Sequence, residues 1–209
     1  MDYPQKFDEM IAALKSSSQI KIKSADFYIK EEIIPLFYKK HGRLKKMEDE
    51  IKTLNDNTIL WLYVESSGEP FPMGETHLIS IEEVVASKVN LVSDANTENE
   101  NKILSELLPF DDHPESGDGM MGCLRLVNDN YEPWFYDENG ECFKMKLDLP
   151  GYLDKLIHLK AIYGWQYLFI DVNLKGPAFN VVRQELKKRL ELLHSCFPAT
   201  SITNYVKKL

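Results

Sequence analysis

The chain has 209 residues, 44% of them hydrophobic and 28% charged, with a formal net charge of −8. This length fits one elaborated domain and leaves no room for a second full one, while the hydrophobic content excludes wholesale disorder. Residues 65–148 hold 19 acidic and 5 basic side chains, against 4 and 9 in 149–209; so acidic a middle would repel nucleic acid and membrane surfaces and attract basic proteins or cations.

The first residues carry acids and lack the basic and apolar regions of a signal peptide, so a cytoplasmic location is expected. Phe7, Met10, Ile11 and Leu14 recur at helical spacing and predict an amphipathic helix over 4–16 that packs on the core. A second helical region is expected from Ser24 as N-cap, broken at Ile34-Pro35, where proline removes a hydrogen bond. Phe37 and Tyr38 then start a fresh turn that Gly42 ends. Thr58–Val64 is rich in β-branched and aromatic residues and predicts a buried strand; at seven residues it is far short of a membrane span. His77–Ser80 predicts a short strand leading into a helix over 81–87, capped by Ser80 with Glu82 and Glu83 in its first turn.

Residues 93–101 predict a polar connection, followed by a short helix or strand over 103–108. Asp111–Gly119 is expected as an acidic surface loop, and Met120–Val127 as a strand. Asn139-Gly140 signals a hairpin, because a type I′ turn needs positive φ at both central residues. In that register Tyr136 faces Phe143 and Trp134 faces Met145, giving one apolar face that also includes Leu147. The alternative puts Glu138 and Asn139 in a type I turn with a glycine bulge, which shifts the pairing by one and mixes the faces; the amphipathic outcome favours the first. Asp148 is placed to cap a helix with Pro150 in its first turn, a stripe of Leu153, Leu156, Ile157 and Ile162, and Gly164 at its end. Val182, Leu186, Leu190 and Leu193 predict a last amphipathic helix over 178–194.

Taken in order, these landmarks resemble the SUKH superfamily, specifically its Smi/Knr branch, over residues 25 to 170. The Ile34-Pro35 step into Phe37-Tyr38 and Gly42 looks like that family's Pro-led helix, and Trp61 sits at its strand tryptophan. His77–Val84 looks like its strand and Glu-bearing helix, and Asn139-Gly140 through Tyr152-Leu153, with the Trp165 segment, like its hairpin and closing helix. Ile-Pro replaces the usual Leu-Pro, residues 93–108 look like an insertion, and residues 172–209 extend past the match as a C-terminal helical extension. The resemblance implies an α+β fold, a mixed or mainly antiparallel sheet flanked by helices, over 1–171. It also implies a non-enzymatic, protein-binding role. Relatives look like immunity proteins that neutralise toxin domains, or like regulators of cell-wall synthesis.

His113 with Asp111, Asp112, Glu115 and Asp118 is the strongest candidate for ion binding or acid–base work, as in a small metal-dependent hydrolase. The spacing fits neither an EF-hand nor a paired-ligand zinc site, so these four acids are taken as candidate partner contacts, and no metal or cofactor is expected. An acidic surface that serves solubility alone is the plainer alternative. His41, His77, His158 and His194 are scattered and accompany no nucleophile motif. Trp134, Tyr136, Trp165 and Tyr167 are expected in the core rather than against a ligand. Cys123, Cys142 and Cys196 show no Cys-x-x-Cys spacing and are expected as buried thiols.

Overall fold

The computed structural model describes residues 3–28, 48–65, 68–87, 89, 91–93, 96–127 and 130–209. Helix α1 (Tyr3–Ser16) buries Phe7, Met10, Ile11 and Leu14 on one face, as their spacing requires. The chain then enters strand β1 (Ile20–Asp26), where half-buried Ile20 and Ile22 alternate with exposed Lys21 and Lys23 at the period of a strand. Ser24, expected as a helix cap, therefore lies within a strand, beside an irregularity that shifts the register against the next strand between Ile22 and Ser24. The expected break at Ile34-Pro35, with Phe37, Tyr38 and Gly42, falls outside the described residues.

After α2 (Glu48–Thr53), strands β2 (Asn57–Tyr63) and β3 (Phe71–Leu78) are followed by α3 (Ile81–Ala86) and α4 (Glu98–Leu104). Strands β4 (Leu107–Asp112), β5 (Met121–Val127), β6 (Asn130–Tyr136) and β7 (Cys142–Lys144) complete a seven-stranded sheet in chain order. The fold is α+β, and every strand pairing is antiparallel. The predicted short strand at His77 is in fact the end of β3, which begins at Phe71. Ser80 stands at the start of α3, yet its side chain makes no cap bond; its N–H donates instead to Asp56 (2.9 Å). Part of the polar connection is helical, because Thr97 and Glu100 cap each other's backbone N–H groups at the start of α4.

Helix α5 (Leu149–His158) begins as expected, with the Asp148 carboxylate accepting from Gly151 N–H at 2.8 Å. It ends well before Gly164, which instead introduces a 3₁₀ turn over Trp165–Phe169. Between them, Lys160 and Ala161 both take left-handed backbone (φ 53°). This turn locks onto the sheet: Trp61 Nε1 donates to the Lys160 carbonyl (2.7 Å), and the Ala161 carbonyl accepts from Glu75 N–H (3.0 Å). Helices α6 (Asn180–Cys196) and α7 (Thr203–Val206) follow. Leu186, Leu190 and Leu193 of α6 enter the same core as α1 and α5, each contributing roughly 1.5–3 kcal/mol.

The hairpin adopts the shifted register. Phe135 pairs with Phe143, and Tyr136 with Cys142, across a turn in which Gly140 has φ 80°. Asp137 decides this: its carboxylate accepts from Asn139 and Glu141 N–H (both 2.9 Å), and the hydroxyl of Tyr167 donates to it (3.0 Å). A two-residue turn would forfeit that ordered carboxylate. The faces accordingly divide. Phe135 joins the main core, while Trp134 packs with Leu104, Leu107 and Cys123 on the opposite side of the sheet, under α4. The single apolar face expected for Trp134, Tyr136, Phe143, Met145 and Leu147 does not form. Trp165 and Tyr167 lie in the main core, as expected.

Candidate functional site

Strands β3 and β4 pair through only two residue pairs, His77 with Asp112 and Leu78 with Asp111. Past that point, side chains rather than a ladder attach the loop over 113–120 to the sheet. Glu75, 2% exposed in the middle of β3, accepts from the N–H groups of Glu115 (2.8 Å) and Ser116 (3.1 Å) and from the Tyr163 hydroxyl (2.7 Å). His113 is 5% exposed; its Nδ1 lies 2.9 Å from Asp118, and its ring meets Tyr163 edge-on. The expected surface loop is therefore anchored by two interior polar residues.

The four predicted contact residues separate. Asp111 belongs to β4 and is 1% exposed, accepting from Thr76 Oγ1 (2.6 Å), Tyr152 OH (2.7 Å) and His77 N–H (3.2 Å). It is a core residue, not a point of surface contact. Burial pushes its pKa up to about 6, against the opposing pull of His113 and of its hydrogen bonds. Asp112 is half-buried on His77 (2.7 Å); that hydrogen bond lifts the imidazole pKa despite burial. Glu115 is exposed, and Asp118 lies partly buried at the mouth of a cleft.

Burial works against a charged His113, but the hydrogen bond to Asp118 and the carboxylates of Asp111 and Glu75 outweigh it and raise its pKa above 6.5. A folded-state pKa above the unfolded one means that this stabilisation is complete below the unfolded value and disappears as pH rises through the folded one. His113→Gln should therefore lose on the order of 1 kcal/mol near pH 6 and progressively less towards pH 9, measured by urea denaturation. A pH-independent difference would contradict a charged His113.

The cleft encloses about 480 Å³ between α6, the 113–120 loop and the β6–β7 turn. Phe71, Met120, Tyr163, Tyr167 and Leu186 form its apolar floor, and Asp118, Glu138 and Glu185 stand around it. Arg189 enters from α6, with its guanidinium over the Tyr163 ring and 3.7 Å from Glu185. Its Nε is buried and, among the described residues, has no hydrogen-bond partner. The turn that Asp137 organises is what carries Glu138 to this edge. Burial, and then the adjacent Asp137, drive the Tyr167 pKa far upward, so its phenol stays a protonated donor in the floor.

Glu75, Tyr163 and Arg189 were not singled out in sequence, although a glutamate inside the strand Phe-Pro-Met-Gly-Glu-Thr-His-Leu was a usable signal of an interior polar anchor. Among the described residues, no three His, Cys, Asp or Glu side chains converge as metal ligands, and no helix is long and apolar enough to cross a membrane. Cys123 is buried, while Cys142 and Cys196 are only partly so. His158 and His194 lie apart, each facing a backbone carbonyl, and His41 is outside the described residues. No protein-family model, curated protein or solved structure matches the chain.

Proposed function

We propose that this protein is a non-enzymatic binding module whose cleft takes a basic, partly apolar segment of a partner protein, in the manner of an immunity protein that neutralises a toxin domain. The observation that carries the reading is the cleft itself, an aromatic and aliphatic floor beneath Asp118, Glu138 and Glu185. An apolar floor supplies affinity through desolvation, and surrounding carboxylates select a cationic partner and speed its approach. The acidic balance of residues 65–148 extends the same field beyond the cleft. The titratable groups nearest the floor serve structure: Glu75 and Asp118 hold the 113–120 loop, and Asp137 holds the turn. The immunity role rests on the SUKH resemblance, and the chemistry of the cleft supports the wider reading of protein binding.

Glu138 and Glu185 are exposed, and reversing them touches the rest of the fold only through the contact of Glu185 with Arg189. The double variant Glu138→Lys/Glu185→Lys should weaken partner binding by about tenfold or more and flatten its dependence on salt, while losing less than about 1 kcal/mol of stability. The immunity version is tested by co-expressing the chain with toxin domains encoded beside its gene. Failure to protect cells from any of them would overturn that version.

A further inference from the structure

A further pocket, of about 270 Å³, shares no lining residue with the cleft and lies between α1, the end of α5 and the segment after α6. Lys160 lines it and is only 9% exposed. A lysine this buried ordinarily meets a carboxylate. Among the described residues Lys160 meets none: its nearest charge-directed contact is the face of Phe197, 4.6 Å from Nζ to the ring centroid. The ammonium itself keeps some contact with solvent. Lys160 is thus a buried cation without an acid partner in the lining of the pocket.

His158 shares the pocket wall, its Nε2 on the Ser201 carbonyl at 3.3 Å. Lys6 also lines the pocket and is already paired with Asp154 at 2.6 Å. Glu9 is the opposing acid, and it accepts from Gln5 (2.8 Å). Buried Thr200 supplies a hydroxyl at the far wall. The backbone fixes where the lysine stands: residue 160 is held in left-handed conformation by the bond from Trp61 to its carbonyl. Burial lowers the pKa of Lys160, and burial followed by Lys155 and Lys160 lowers that of His158, so a bound anion would relieve both.

We propose that this pocket binds a small oxyanion, a phosphate or phosphate monoester, with Lys160 as its principal cation. A compact ammonium binds phosphate as a point charge. The volume admits a phosphate with a small substituent, and Met10, Ala13 and Ile157 offer that substituent an apolar wall.

The test combines two readouts on the full chain, titrated with inorganic phosphate or with phenyl phosphate against chloride of equal ionic strength. In the first, acylation of Lys160 by acetic anhydride is followed by peptide mass spectrometry. At ten times the dissociation constant phosphate should slow it about tenfold, leaving the exposed Lys187 unaffected. This readout needs no variant. In the second, calorimetric phosphate binding should be lost in Lys160→Gln, with Glu138→Lys/Glu185→Lys binding as the wild type does. Tighter binding of phenyl phosphate assigns the ligand an organic substituent, and equal affinities assign the site to free phosphate. No protection of Lys160 beyond that given by chloride, or equal phosphate binding by a folded Lys160→Gln, would overturn the proposal.

Discussion

Asp111→Ala should destabilise the protein by about 2–5 kcal/mol. Removing the carboxylate leaves the hydroxyls of Thr76 and Tyr152 without their acceptor, and deprives His113 of a neighbouring negative charge. Asp111→Asn keeps the size and one acceptor oxygen, and should lose less. The pH dependence separates shape from charge. A buried carboxyl titrating near 6, above its ordinary 3.8, binds protons more tightly folded than unfolded. Its contribution is thus complete below the unfolded value and declines as pH rises towards 6, by about 3 kcal/mol in total. The advantage of wild type over Asp111→Asn should shrink across that interval in urea titrations; an advantage that grew with pH would contradict the burial of this group.

Gly74→Ala should lower stability by about 2–4 kcal/mol, combining overpacking with a disturbed hydrogen bond. A Cβ at this position would overlap the Trp61 indole nitrogen and the Ala161 carbonyl oxygen, and the second is backbone with no rotamer to escape through. The same contact holds the turn that carries both Lys160 and Tyr163, whose N–H donates to Met73 (3.1 Å). The cost should be smaller in a Trp61→Phe background, where the indole nitrogen is gone. A double-mutant cycle of thermal melts measures this coupling, and strict additivity would show that the clash does not govern the loss.

The helices that pack one strongly apolar stripe on the core, α1, α5 and α6, were legible because their periodicity is local. So were β2 and the cap at Asp148. The hairpin register was not, because it depends on Asp137 gathering two backbone N–H groups and a distant tyrosine, whereas the Asn-Gly pair alone favours the tighter turn. Ser24 misled because a cap residue in a strand carries no mark of its own; the alternating lysines before it did. The acidic run from Asp111 to Asp118 reads as surface by composition. Only the partial pairing of β3 with β4 reveals that Asp111 and His113 turn inward while Glu115 turns out. The cleft itself joins residues more than a hundred positions apart, and no local pattern could assemble Phe71, Glu138 and Arg189 into one site.

The function proposed for this cleft is the docking of a basic segment of a protein partner. It is tested most directly by taking a partner captured with the wild-type chain, purifying it, and measuring its affinity for wild type and for Glu138→Lys/Glu185→Lys over a range of salt. Wild type should bind more weakly as salt rises, and the variant should bind about tenfold or more weakly at low salt, with cross-links from the partner reaching Asp118 or Glu185 in the wild-type complex. Equal affinities for the two chains, or cross-links confined to the opposite face of the sheet, would contradict it.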